Sequence, residues 1–152
     1  MSIVTRMDYQ PFPPDPHNHK PNSRHSLVLD PARPDGRYVK NLVLNFEKLA
    51  PDEIIPVHFH TSEEVLIIDD GEAEAFYDGE WQPVGPGSVI LVPPGVSHGF
   101  RNLSGGTVRL HAVFGGSVVG TQLLDRSPAP GTEDEPVPPL SILDFRAYVD
   151  GP

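Results

Sequence analysis

From residue 65 onward the chain is a series of short β-prone runs, each cut off by residues that favour turns. Val65–Ile68 stops at Asp69-Asp70-Gly71, Ala73–Tyr77 at Asp78-Gly79, and Trp81–Val84 at Gly85-Pro86-Gly87. Ser88–Val92 stops at Pro93-Pro94-Gly95, Gly99–Asn102 at Ser104-Gly105-Gly106, and Val108–Phe114 at Gly115-Gly116. Runs this short leave no room for helical crossovers, so the spacing predicts an all-β barrel or sandwich and excludes alternating strand–helix units. Asp78-Gly79 is a strong hairpin signal, because both residues tolerate positive φ. Upstream, Tyr38–Leu49 places Leu42, Leu44 and Phe46 at period two, the mark of a strand.

Both ends of the chain read differently. Within residues 8–36, Pro11, Pro13, Pro14, Pro16, Pro21, Pro31 and Pro34 forbid a continuous ladder or helix. This predicts an arm over residues 1–36, with one short strand at Ser26–Asp30. Residues 37–126 form the β domain, and residues 127–152 a Pro- and acid-rich linker and tail. Ser141-Ile-Leu-Asp144 has capping-box spacing, with Ile142, Phe145 and Val149 following on one helical face. The expectation there is a short C-terminal helix, with a final strand as the competitor.

With 152 residues there is room for one core. A formal net charge of −10 repels phosphate backbones, so no nucleic-acid partner is expected. No apolar run is long enough to span a bilayer, and the first residues lack a basic-then-apolar signal pattern. The expectations are no membrane partner and, by default, a cytoplasmic location. Cysteine is absent, so any metal must be held by His, Asp, Glu or water.

Two segments carry the chemistry. In Pro56-Val-His58-Phe-His60-Thr-Ser-Glu63-Glu64, residues two apart on a strand share a face, so His58 and His60 project side by side. Glu64 lies past a turn on the returning strand and brings a carboxylate opposite them, a set suited to a first-row divalent ion. Alternation sends Glu63 to the other, solvated face. In Gly87-Ser-Val-Ile-Leu-Val-Pro93-Pro-Gly95-Val-Ser-His98-Gly-Phe-Arg-Asn102, a tight Pro-Gly turn aims His98 back toward the interior. Three imidazoles and one carboxylate leave positions open on a six-coordinate ion, as a catalytic metal requires.

These motifs resemble those of the cupin superfamily. Its first motif, G-x5-H-x-H-x3,4-E-x6-G, is met by His58, His60, Glu64 and Gly71, with Asp52 standing where the leading glycine belongs. Its second, G-x5-P-x-G-x2-H-x3-N, is met throughout by Gly87, Pro93, Gly95, His98 and Asn102. The resemblance spans about residues 37–115. It implies a single jelly-roll-like β-barrel, one divalent metal on His58, His60, Glu64 and His98, and a homodimer. Fe(II) ranks first as the metal, with Zn, Mn or Ni as alternatives.

The implied function is a metal-dependent enzyme acting on an oxygen-rich small molecule, with a non-haem iron dioxygenase ranked first. A non-redox isomerase, cyclase or lyase is the alternative within enzymes, and a non-catalytic small-ligand-binding module the alternative outside them. For the substrate pocket, Phe100 lies two residues after His98 and points inward with it. Tyr77 shares a face with Ala73 and Ala75. Arg109 and His111 share one face of Val108–Phe114, which lines the cavity or else faces solvent or a partner subunit. His17-Asn-His19 repeats the H-x-H spacing, but no carboxylate follows it at the right distance.

Overall fold

The computed structural model describes residues 6–29 and 41–144. Among them lie twelve strands and no helix. One sheet has the order β1 (Gln10–Pro11), β2 (Arg24–Leu29), β3 (Val43–Leu49), β10 (Val108–Phe114), β5 (Glu64–Asp70), β8 (Val89–Val92). The other has the order β12 (Ser141–Asp144), β11 (Val118–Leu123), β4 (Ile54–His60), β9 (His98–Arg101), β6 (Ala73–Tyr77), β7 (Glu80–Val84). All strand pairs are antiparallel, and consecutive strands often lie in different sheets, which gives an open jelly-roll sandwich instead of one closed ring.

Alternation decides what lies between the sheets. Along β5, Glu64, Leu66 and Ile68 are buried, while Val65 and Ile67 are half-buried on the other side. Along β10, Val108, Leu110 and Ala112 are buried and Arg109 is exposed. With Leu49, Ala73, Ala75, Val92 and Phe100 these residues form the core.

Turns behave as their residues require. Asp78 and Gly79 both have positive φ, 53° and 85°, and close the β6–β7 hairpin. Asp52, in place of the motif's glycine, adopts φ 62° and donates its N–H to the Asn102 carbonyl at 2.8 Å. Aspartate tolerates the left-handed region better than most residues, so the turn survives without glycine.

Both chain ends join the sheets: the strand expected in the arm is present as β2, and at the C-terminus the competing strand forms instead of the helix. The Pro-rich arm contributes β1 and β2, which extend the first sheet beyond β3. It is anchored by the buried Glu53 carboxylate, which accepts from the Asn22 backbone N–H (2.8 Å) and the Ser23 hydroxyl (2.5 Å). Ser141–Asp144 is a strand, not the first turn of a helix. Paired with β11, it satisfies backbone groups that the β11 edge would otherwise leave open, and this outweighs a weak capping signal. Phe145 and Val149 lie outside the described residues, as do Asp30 and Tyr38 from the predicted strand ends.

Candidate metal centre

β4 carries His58 and His60 on its buried face (8% and 7% exposed), and β5 carries Glu64 (4%). The β4–β9 register shifts between Ile55 and His58, and this bulge sets His58 directly across from His98 (2% exposed). Gly99 permits the approach, because a Cβ there would sit 2.9 Å from the Ile55 carbonyl oxygen and 3.2 Å from Val57 Cα. After the Pro93-Pro94 turn, Gly95 (φ 78°) donates its N–H to the His60 carbonyl at 2.8 Å, tying the two motifs together.

One potential ligand atom from each of the four residues lies within 4.8 Å of the others. The hydrogen bonds behind the rings decide which atoms face inward. His58 Nδ1 meets the Pro56 carbonyl (2.6 Å) and His98 Nδ1 the Val96 carbonyl (3.0 Å). His60 Nδ1 is 2.9 Å from Thr121 Oγ1 and 3.3 Å from the Gly120 carbonyl. A carbonyl only accepts, so a proton sits on each Nδ1 and the Nε2 atoms face the centre. His58 Nε2 and His60 Nε2 are 3.1 Å apart, and Glu64 Oε2 is 2.8 Å from His98 Nε2 and 3.3 Å from His60 Nε2. With a cation among them all four serve as acceptors at this spacing; without one, an imidazole Nε2 that carries a proton donates to the Glu64 carboxylate. The donor set therefore fits a divalent metal ion.

The electrostatics agree. Burial, then the neighbouring His98 and His60, hold the His58 imidazole down to about 3. Burial alone would raise the Glu64 carboxyl, but His60 and His98 together outweigh it and keep the group at about 2. His58 and Glu64 thus stand as neutral imidazole and ionised carboxylate, the forms that bind metal. Below pH 6.5 the unfolded chain takes up a proton at position 58 that the folded chain refuses, so stability falls with pH down to about 3. Glu64 adds a loss of the same sign as pH falls from 4.5 to about 2. Metal-free protein is expected to lose up to about 1.4 kcal/mol per pH unit for each such proton. Thermal melts of the metal-free protein from pH 7 to 4 check this; a melting temperature as flat as that of His58→Gln would contradict it.

The cluster lines a cavity of about 480 Å³ whose walls are largely apolar, including Ile55, Leu66, Phe100, Leu110 and Phe114. Phe100 lies on this wall. Tyr77 packs against the core instead of lining the cavity. Of the two faces that the sequence left open for Arg109 and His111, the structure gives them the outer one. The apolar alternation of β10 claims the interior, so both residues face away from the cavity. There Arg109 pairs with Asp70 (3.1 Å), and His111 pairs with Asp69 (2.7 Å) and packs on Phe46. Glu63 is exposed. His17 Nδ1 accepts from Arg126 (2.9 Å), which also binds the Pro16 and Glu135 carbonyls and fastens the tail to the arm.

Sequence reasoning missed two contributors to the cavity. The apolar pattern Leu44/Phe46 marks the outer face of β3; its inner face runs Val43, Asn45, Glu47, Leu49, and Asn45 and Glu47 line the cavity. The signal was present as two polar residues between two fully buried apolar ones. The second contributor is the chain ends: Phe12, Pro13, Pro14, Asn18 and Lys20 from the arm, and Leu143 from β12.

Residues 45–114, which hold all four ligand residues, match the family model described as a cupin domain. Fold and match together make this chain a small cupin-fold protein. It is 34% identical over 79 residues to an acireductone dioxygenase from Rhodopseudomonas palustris (strain TIE-1). That match covers 52% of this chain and 44% of the relative, so the chain spans less than half the length of the curated relatives it matches. Among solved structures it is similar to the polyketide cyclase RemF from Streptomyces resistomycificus (TM-score 0.63, 24% identity, covering 100% of this chain and 94% of that one). It is also similar to a cupin-superfamily sugar phosphate isomerase from Silicibacter pomeroyi (TM-score 0.65, 14% identity, covering 91% and 88%). At these identities the structural likeness establishes the fold alone. No helix among the described residues is long and apolar enough to cross a membrane.

Proposed function

We propose that this protein is a metal-dependent enzyme acting on an oxygen-rich small molecule, and within that class a non-haem iron dioxygenase. The observation that carries the reading is four buried, converging ligand atoms on the wall of a cavity of small-molecule size. His58, His60, Glu64 and His98 hold the ion, which supplies Lewis acidity to substrate oxygens and, as iron, a route to dioxygen. The Nδ1 hydrogen bonds fix the three rings so that the donors need no reorganisation. Ile55, Phe100, Leu110 and Phe114 exclude water and seat the apolar part of the substrate. Similarity to a protein named acireductone dioxygenase supports the oxygenase choice.

A second reading, a non-redox cyclase or isomerase, is favoured by one observation: the fold of RemF, named a polyketide cyclase, covers the whole chain. The two separate on protein purified anaerobically from unsupplemented cells. Stoichiometric iron, with oxygen uptake on adding catechol- or enediol-type compounds, is the expected result. Zinc, manganese or nickel with turnover indifferent to oxygen would replace it with the second reading. Absence of any bound metal, with none taken up on titration, would overturn both.

A further inference from the structure

The cavity contains polar groups that metal binding leaves unused. Lys20, from the arm, is 8% exposed and lines the cavity. Its ammonium lies 4.1 Å from the centroid of the Phe12 ring, and among the described residues it has no hydrogen-bond or ion-pair partner. Lysines this buried are rare, and burial takes part of the hydration from the ammonium, which the Phe12 ring replaces only in part. Asn18 and Asn45 line the same cavity, and the Oδ1 atom of each is buried without a hydrogen-bond partner among the described residues. The orientation of Asn45 is set by donation of its Nδ2 to Glu47 Oε1 at 2.8 Å; His25 lies close enough to interact with the same side chain, against the larger effect of burial on its ring.

A purely structural role for Lys20, neutralising Glu47, would call for direct contact. The two groups feel each other but do not pair. Burial lowers the Lys20 pKa, opposed by Glu47, Asp15 and Glu53. Burial raises that of Glu47, opposed by Lys20, so each remains under-compensated. An anionic oxygen placed on Lys20 would supply what is missing, and hydroxyl groups would do the same for the two amide oxygens.

We propose that Lys20, Asn18 and Asn45 form a second substrate-binding station in the cavity, which takes the end of the substrate not held by the metal. Lys20 binds a carboxylate there, and the amide oxygens accept from hydroxyls. The substrate class is a hydroxylated organic acid with an apolar body, gripped at both ends. This rests on the metal-centre reading above. Lys20 lies in the arm, outside the cupin motifs, so the station is a property of this chain's N-terminal segment.

The test uses zinc-loaded protein, which is redox-silent, and calorimetric binding of two probes. 3,4-Dihydroxybenzoate and 4-methylcatechol share the chelating oxygens and differ in the carboxylate. Wild type is expected to bind the acid roughly tenfold tighter or better, the value of one charge-assisted hydrogen bond. Lys20→Met should abolish the preference and leave 4-methylcatechol affinity within about twofold, while Lys20→Arg restores part of it. Lys20→Gln, scored the same way, replaces the Met variant if that protein fails to take up zinc. Equal binding of both probes by wild type, or a preference that survives in the variants, overturns the station and leaves the metal centre standing. Failure of zinc-loaded wild type to bind either probe overturns the reading that substrate docks on the metal, and the station with it, whereas failure to take up zinc overturns the metal centre itself.

Discussion

Protein with His60 replaced by Ala is expected to lose its response to divalent metal while folding at least as well as metal-free wild type. In the metal-free site His60 Nε2 is crowded against His58 Nε2 at 3.1 Å, while Glu64, 3.3 Å away, keeps His98 as its nearer imidazole partner. Removing the His60 ring relieves that crowding, so the melting temperature without metal should stay level or rise. With metal the order reverses. Loss of a directly coordinating ring should cost more than the roughly 10–100-fold typical of disturbing the groups behind a ligand. At metal a hundredfold above its dissociation constant, wild type gains about 2.7 kcal/mol of stability, and the variant should gain almost none. Paired melts with and without zinc, beside direct titration of zinc, measure both halves. A His60→Ala protein that keeps the zinc-induced shift would remove His60 from the site.

The second large effect is on the fold. Phe100 is 2% exposed, in register with Ile55 on one side and Ala75 on the other, and its ring belongs to both the core and the cavity wall. Phe100→Ala should cost about 3–5 kcal/mol. Against a total of roughly 5–15 kcal/mol for a domain, that is enough to leave the variant marginal. Leu91→Ala is the internal control. Leu91 is 69% exposed on β8, at the edge of its sheet, so its loss should stay within about 0.5 kcal/mol. Urea denaturation of the three proteins compares them on one scale. A cost below about 1 kcal/mol at Phe100 would show that the ring is not the packing element described above.

What could be read in advance follows a physical divide. The four ligands were legible because their geometry is local. His58 and His60 share a strand face by the period of two, Glu64 lies one turn away, and His98 follows a Pro-Gly turn whose backbone angles are set by its residues. The Asp78-Gly79 hairpin was legible for the same reason. Asp52 shows the same logic from the other side, since a departure from the motif was absorbed by a residue that tolerates the same φ. Arg109 and His111 were not decidable locally. Alternation says that they share a face, but only the packing of Val108, Leu110 and Ala112 against the opposite sheet says which face is inside.

The β3 strand makes the point most sharply. Leu44 and Phe46 mark it as a strand, yet the inner face carries Asn45 and Glu47, because the space beyond them is a cavity and not packed core. Likewise Ser141–Asp144 became a strand because the β11 edge was there to pair with, a fact outside its own residues. The sequence by itself determined the all-β character, the turns and the donor atoms, since these depend on backbone preferences and spacings of a few residues. Tertiary structure alone decided which face of each strand became the cavity wall. It also recruited the arm and β12 to that wall, bringing Lys20 and Leu143 to a site whose metal ligands lie tens of residues away along the chain. Those contacts are long-range, and no local pattern encodes which surface will cover which.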